Sequence, residues 1–369
     1  MMITTQNELR DLIERAGKCD AIALDTEFIW ERTYYPRLGL IQLALSDENC
    51  YLIDPLALKD LSALGELLAD ATVVKIFHDA PQDLAILNRA TGSIPKNIFD
   101  TRLAAGFTGL PATLSLSKLI KILLDIDLKK SETRTNWLKR PLDIQQIEYA
   151  LDDVRYLRAI RILLLSSIIG PEIKSWLHEE LELLDDPSTY MGYSDEERYL
   201  KIKEAGNLDP QGLSILRELT IWREREARAL NRPRGHIVPD SVLISIARKH
   251  LTTVDSIKSE TNISSRAADR YGEKIVAAVK QGLVSESPIQ EPISKTIKLT
   301  QKDREALARL NQLVQVKSEV QGIDPAIIGN GQEFKLLVKI LNKSCESKML
   351  RQMDGWRKTF LKDFFRQTA

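Results

Sequence analysis

The order of apolar runs predicts an α/β fold, with a mixed-sheet domain at the front of the chain and two small all-α helical domains behind it. Three observations predict this. Three β-like runs with short connections come first; a helix and a fourth β-like run follow; from about residue 80 the apolar spacing is helical. A polar stretch and a Ser/Pro-rich stretch then divide the helical remainder.

The first run, Ala21-Ile22-Ala23-Leu24-Asp25-Thr26-Glu27-Phe28, reads as a buried strand. Leu38 to Leu45 and Cys50 to Ile53 read as the second and third strands, and their short connections predict an antiparallel meander. A helix is expected from about Leu56 to Leu68, then a buried strand from Thr72 to Phe77. The front domain is expected to span 1–185, closing with a helix from about Glu172 to Leu184. Residues 186–207 read as a polar linker. A helical domain follows over 208–287, with a strong amphipathic helix from Leu213 to Leu230. Ser285-Glu286-Ser287-Pro288 opens a second linker, placed at 288–299, and 300–369 reads as a last helical domain.

The 369 residues are 43% hydrophobic and 28% charged, as in water-soluble globular proteins. No run approaches the roughly 20 apolar residues that span a bilayer, and the start lacks the basic and apolar regions of a secretory signal. The three cysteines are far apart, which fits neither a disulfide framework nor a zinc knuckle and suits a reducing cytoplasm. The overall charge balance hides an asymmetry. Residues 1–207 hold 24 Lys/Arg against 33 Asp/Glu, 208–290 hold 13 against 10, and 291–369 hold 15 against 9. An acidic front and a basic back suit a metal-dependent domain followed by modules that touch a polyanion.

Side chains alternate along a strand, so Asp25 and Glu27 point the same way. At about 4 Å and an effective dielectric of about 20, two such charges repel by roughly 4 kcal/mol. Whole domains are stable by only about 5–15 kcal/mol. A divalent metal is the natural counter-charge. Three later stretches add acids. In His78-Asp79-Ala80-Pro81-Gln82-Asp83, Asp79 reads as a helix N-cap, and Asp83 taken alone reads as an acid favoured by the helix dipole. In the helix around Glu148 to Leu157, Tyr149 and Asp153 are four apart and share a face. Asp153 flanks the apolar stripe, whereas Asp152 points to solvent. Asp100 reads as an N-cap and Asp54 as a turn residue.

The ordered set Asp25-x-Glu27, Asp83 and Tyr149-x-x-x-Asp153 resembles the DEDD exonuclease superfamily in its tyrosine subclass. Glu148 stands where the histidine subclass would have His. Arg32-Thr33-Tyr34-Tyr35-Pro36, Leu40-Ile41-Gln42-Leu43, His78-Asp79 and Trp137-Leu138-Lys139-Arg140-Pro141 extend the likeness to the bacterial ribonuclease D family over 1–185. Leu216-Arg217, Trp222-Arg223, Asn231-Arg232-Pro233 and Asp240 to Ala247 make the next segment similar to an HRDC domain, a small nucleic-acid-binding module. Gly355-Trp356-Arg357 resembles a divergent second HRDC-like domain.

The resemblance implies a ribonuclease H-like front domain and a 3′→5′ exoribonuclease that releases 5′-mononucleotides. It implies two divalent ions, Mg2+ or Mn2+, held by Asp25, Glu27, Asp83 and Asp153. Asp25 would bridge them, and Tyr149 would position the attacking water. The expected partner is RNA with a free 3′ end, above all tRNA precursors, met by a cytoplasmic protein read as a monomer. No nucleoside-triphosphate loop of the Gly-x-x-x-x-Gly-Lys type is present. Trp30, Arg32 and Tyr34 mix aromatic and basic character beside the site and suit base stacking, although packing of the sheet edge would use the same residues. Arg223, Arg225 and Arg228, like Lys129, Lys130 and Arg134, are either RNA contacts or solvated charges. His78 reads as support for the fold. Two other readings stand: a DNA exonuclease on the same scaffold, since motifs do not read the 2′-OH, and a catalytically inactive nucleic-acid adaptor.

Overall fold

In a computed structural model the described residues are 1–128, 135–285, 297–342 and 350–368. Lys129, Lys130, Arg134, Cys345 and most of the 288–299 linker lie outside them. The chain divides into two compact units. One takes Met1–Ile29, Leu38–Met191 and Ile297–Ala369; the other takes Trp30–Arg37 and Gly192–Thr296.

The first unit is built on six strands: β1 (Met2–Ile3), β2 (Ala21–Ile29), β3 (Arg37–Ala44), β4 (Cys50–Ile53), β5 (Val74–Phe77) and β6 (Ile98–Asp100), in the order β1-β4-β3-β2-β5-β6. β3 pairs antiparallel with β4, while β2–β5, β5–β6 and β1–β4 are parallel, so the sheet is mixed. Its front helices are α1 (Gln6–Ala16), α2 (Ser62–Ala69), α3 (Pro81–Thr91), α4 (Thr101–Gly106), α5 (Leu116–Leu124), α6 (Ile144–Arg155), α7 (Leu157–Ser167) and α8 (Pro171–Glu182). β1, α1 and β6 are additions to the elements read from the sequence. The signal for α1 was there: Thr5 and Glu8 form a capping box. Strands as short as β1 and β6 carry too few residues for a period-2 pattern to register.

Alternation along β2 sorts its two faces. Ile22 and Leu24 join one core with Leu9, Leu12, Leu64 and Leu84, from α1, α2 and α3. Ala21 and Ala23 face the other core, with Val154, Leu157 and Ile160 from α6 and α7. Asp25 and Glu27 continue the second face; Thr26 continues the first.

The rear of the first unit is α14 (Gln301–Gln321), α15 (Gly331–Leu341), α16 (Gly355–Phe360) and α17 (Lys362–Thr368). The sequence gives this segment the pattern of a separate helical domain. In the structure it shares one core with the sheet: Leu310, Ile327, Phe334, Trp356 and Phe360 cluster with Ile76, Phe107 and Trp176. Helical periodicity shows which face is buried but not against what, so the docking is not readable in advance.

The second unit packs α9 (Pro210–Ala229), α10 (Arg234–Ile237), α11 (Asp240–Lys249), α12 (Val254–Glu260) and α13 (Ser265–Val284) around Leu216, Leu219, Leu243, Ile246 and Ile275. The loop Trp30–Arg37 belongs to this unit, although it follows β2 directly in the chain.

Candidate active site

β2 carries Asp25 and Glu27 on its α6 face, near its C-terminal end. α6 is started firmly: the Gln146 backbone N–H donates to Asp143 Oδ1 at 2.8 Å, and the Asp143 N–H donates to Gln146 Oε1 at 3.0 Å. Two turns on, Asp153 meets the strand. One oxygen each from Asp25, Glu27 and Asp153 lies within 4.8 Å of the others. Asp83 stands outside that trio. It enters from α3, on the opposite face of the strand, and accepts a hydrogen bond from the Thr26 hydroxyl. It is still close enough to act on its neighbours' charges.

The electrostatics are those of anions crowded out of water. Burial, then Asp83, Asp153 and Glu27, push Asp25 well above the usual carboxylate range. Burial, then Asp153 and Asp83, push Glu27 up to about 9. Burial also raises Asp83 to about 7 against the Thr26 hydrogen bond, and Asp153 to about 7 against the Tyr149 hydroxyl. Burial and the facing carboxylates drive the Tyr149 phenol far above its ordinary value. Asp153 Oδ2 is buried with no hydrogen-bond partner. A compact set of hard oxygen donors with an unsatisfied lone pair fits a divalent cation of the Mg2+ or Mn2+ kind.

A framework that sequence spacing did not disclose holds Tyr149 and the sheet together. Arg140 grips Asp54 with both arms of its guanidinium, Nε to Oδ2 at 2.6 Å and Nη2 to Oδ1 at 2.7 Å. Nη2 also donates to the Gly39 carbonyl and Nη1 to that of Trp137. Burial would raise the Asp54 carboxyl, but the bonds and charge of Arg140 outweigh it and hold it low. The Trp137 ring lies 6.1 Å from that of Tyr149. Gly39 is required by this approach, because a Cβ there would sit 2.7 Å from the Trp137 carbonyl oxygen. Asp54, read above as a turn residue, is thus also the anchor of a half-buried ion pair whose partner lies 86 residues away.

The neighbouring candidates sort themselves. Asp100 caps α4, accepting from the N–H groups of Arg102 and Leu103, and also accepts from those of Asp79 and Ala80, which fixes the approach to α3. Asp79 is not the cap of α3. Its backbone is left-handed (φ 66°) and its carboxylate pairs with Arg102. His78 has both nitrogens engaged, with the Leu114 carbonyl and the Thr101 hydroxyl, and supports the fold. Asp152 turns to Arg155.

Of the proposed substrate contacts, Trp30 and Arg32 are exposed. Tyr34 and Arg223 are corrected to interior positions. Tyr34 donates its hydroxyl to Glu224 at 2.5 Å and lies under the Arg234 guanidinium. Arg223 is 3% exposed and donates to the Val238 carbonyl, with Asp240 beside it. The Tyr34 ring, so enclosed, has no free face on which a base could stack. Arg228 pairs with Asp195, and Arg225 is exposed.

Comparison with known proteins matches residues 1–168 to the 3′–5′ exonuclease family model and residues 212–279 to the HRDC domain. The chain is 52% identical to ribonuclease D of Desulfotalea psychrophila over 364 residues, covering 99% of this chain and 97% of that one. It is 35% identical to ribonuclease D of Pseudomonas paraeruginosa, over 91% and 89% of the two chains. The crystal structure of Escherichia coli RNase D, described as an exoribonuclease involved in structured RNA processing, superposes with a TM-score of 0.86 at 29% identity. That superposition covers 100% of this chain and 98% of the other.

Proposed function

Because the chain belongs to the ribonuclease D family and is a 3′–5′ exoribonuclease, we propose that Asp25, Glu27, Asp83, Asp153 and Tyr149 are its catalytic centre, acting on the last phosphodiester of an RNA strand. The observation that carries this reading is the convergence of three carboxylates within 4.8 Å, with each other's charge as the main uncompensated neighbour. DEDD exonucleases use divalent metal, and the acidic cluster is compatible with it. In our reading two ions, Mg2+ or Mn2+, would bind: Asp25, Glu27 and Asp153 would hold one, and Asp25 and Asp83 would serve the second. Bound divalent metal acidifies the attacking water and offsets charge on the phosphate and leaving oxygen.

The remaining roles belong to the chain itself. Tyr149 stays protonated at neutral pH, since its phenol is raised further from an already high value. It therefore orients the water as a hydrogen-bonding partner and takes no proton. Attack at phosphorus breaks the bond to the penultimate 3′ oxygen and releases a nucleoside 5′-monophosphate. Trp30 and Arg32, exposed on the loop after β2, offer a ring and a cation to the strand. Precursors of tRNA in the cytoplasm suit this enzyme as substrates. The Escherichia coli relative's involvement in structured RNA processing supports structured RNA, and the positive balance of residues 208–369 supports a polyanion.

Digestion of a 5′-labelled RNA with a free 3′ end tests the reading. Products should shorten one nucleotide at a time with Mg2+ or Mn2+, and chelator should stop the reaction. Matched DNA cut faster than RNA would overturn the substrate, and undiminished cutting in chelator would overturn the metal. Tyr149→Phe keeps the ring against Trp137 and removes only the hydroxyl. It should lower kcat about 10²-fold, in the range of positioned proton-handling groups, with KM little changed. Wild-type kcat in that variant would take Tyr149 out of the chemistry.

A further inference from the structure

The helical unit contains a cationic cavity that has no part in the proposed reaction. It measures about 360 Å³ and opens to solvent between the 3-10 turn Arg198–Lys201, α9 and α10. Four cations line it, Arg198, Lys201, Arg223 and Arg234, against two carboxylates, Glu224 and Asp240.

The arrangement is constructed from the inside. The Glu224 side chain is fully buried, and Arg234, Arg198 and the Tyr34 hydroxyl surround it. It orders two guanidiniums and neutralises the charge of one. Arg223 forms part of the lining from within the fold. Its Nη1 is shared between the Val238 carbonyl and Asp240, and its Nε is buried without a hydrogen-bond partner. Native interiors rarely leave such a donor unmet. Lys201 is exposed, with its ammonium 4.5 Å from the centre of the Tyr193 ring. Gly235 leaves the α10 wall bare, since a Cβ there would meet nothing within 4 Å.

Guanidinium groups with excess positive charge suit the tetrahedral oxygens of phosphate far better than an apolar ligand. A cavity of this size accepts one phosphate group with attached water. We propose that this cavity is a phosphate site and that its working occupant is an internal backbone phosphate of the RNA, distinct from the phosphodiester being cut. The assignment concerns binding alone and stands or falls separately from the catalytic centre. It also connects two regions of sequence: Glu224 holds Tyr34, and Tyr34 lies on the loop that continues from the strand bearing Asp25 and Glu27.

The test uses the full chain in chelator, so that no RNA is consumed. Anisotropy of a labelled RNA of about 20 nucleotides is followed across a salt series for wild type, Lys201→Glu and Arg198→Gln. Lys201 is exposed, so its replacement leaves the buried Glu224 cluster in place, and the thermal midpoint of each variant verifies folding. Either variant should bind about three- to tenfold more weakly, and the slope of log affinity on log salt should be shallower by about one. Folded variants with the wild-type affinity and slope would overturn the proposal. Inorganic phosphate provides the second arm. If it stabilises wild type but not the variants while RNA binding is the same in all three, the site serves a free anion and the RNA assignment fails.

Discussion

Replacing Asp25 by Asn should end RNA hydrolysis, lowering turnover by at least about 10³-fold, and should make the metal-free chain harder to unfold. The first effect follows from position. Asp25 is the member of the trio whose charge is acted on by all three other acids, and in our reading it serves both ions. A loss of about 4 kcal/mol in barrier lowering corresponds to that factor. The second effect follows from the sign of the shifts. Asp25, Glu27, Asp83 and Asp153 all have folded values raised above their ordinary ones. Stability from such groups is complete below the ordinary carboxylate range and is lost as pH rises through the raised values. For Asp83 and Asp153 that loss falls around pH 7, and for Glu27 around pH 9.

In chelator, therefore, the thermal midpoint should fall between about pH 5 and pH 9, and Mg2+ or Mn2+ should restore more of it at pH 8 than at pH 5. Asp25→Asn removes one of the repelling charges, so its fall in chelator should be shallower. A variant that keeps a tenth of wild-type turnover would remove Asp25 from its role. One that is less stable than wild type in chelator at pH 8 would show that Asp25 is held by something other than a cation.

What the sequence disclosed, and what it hid, follows from the range of each physical signal. Alternation along β2 put Asp25 and Glu27 on one side, and the four-residue interval put Tyr149 with Asp153; both are local rules. Asp83 has no local signal beyond a helix start, because its partner Thr26 sits on the other face of a strand 57 residues away. The Arg140–Asp54 clamp is likewise non-local. Tyr34 and Arg223 show a further limit. An aromatic or basic residue has the same appearance in sequence whether its polar end meets RNA or a buried carboxylate such as Glu224. The boundary at Trp30–Arg37 was hidden for the same reason, since the residues that pull this loop into the helical unit lie some 190 positions on.

Ending the chain at residue 296 should leave the front domain unable to fold stably. The rear helices look separable in sequence, but they complete the core beneath α4, α7 and α8. Trp356 stacks on Trp176 at 5.4 Å and meets Phe107 at 5.3 Å, while Arg357 grips Glu180 through Nη1 at 2.5 Å and Nη2 at 2.8 Å. The Asp324 N–H donates to the Gly106 carbonyl at 2.7 Å, and its carboxylate accepts from the Ala112 N–H. Trp356→Ala alone should cost about 3–5 kcal/mol, the range for emptying a large aromatic site. Against a total of about 5–15 kcal/mol, that is enough to move the urea midpoint substantially. Glu180→Ala should cost a similar amount, because it strands the buried Arg357 guanidinium. The truncated chain loses all of these contacts together and should show no cooperative unfolding transition. A 1–296 chain that unfolds cooperatively at the wild-type midpoint would refute the shared core. The same packing means that deleting 208–369 in one piece would remove core as well as basic surface. A fall in RNA affinity after that deletion would therefore report unfolding, and only substitutions at exposed cations can separate RNA contact from stability.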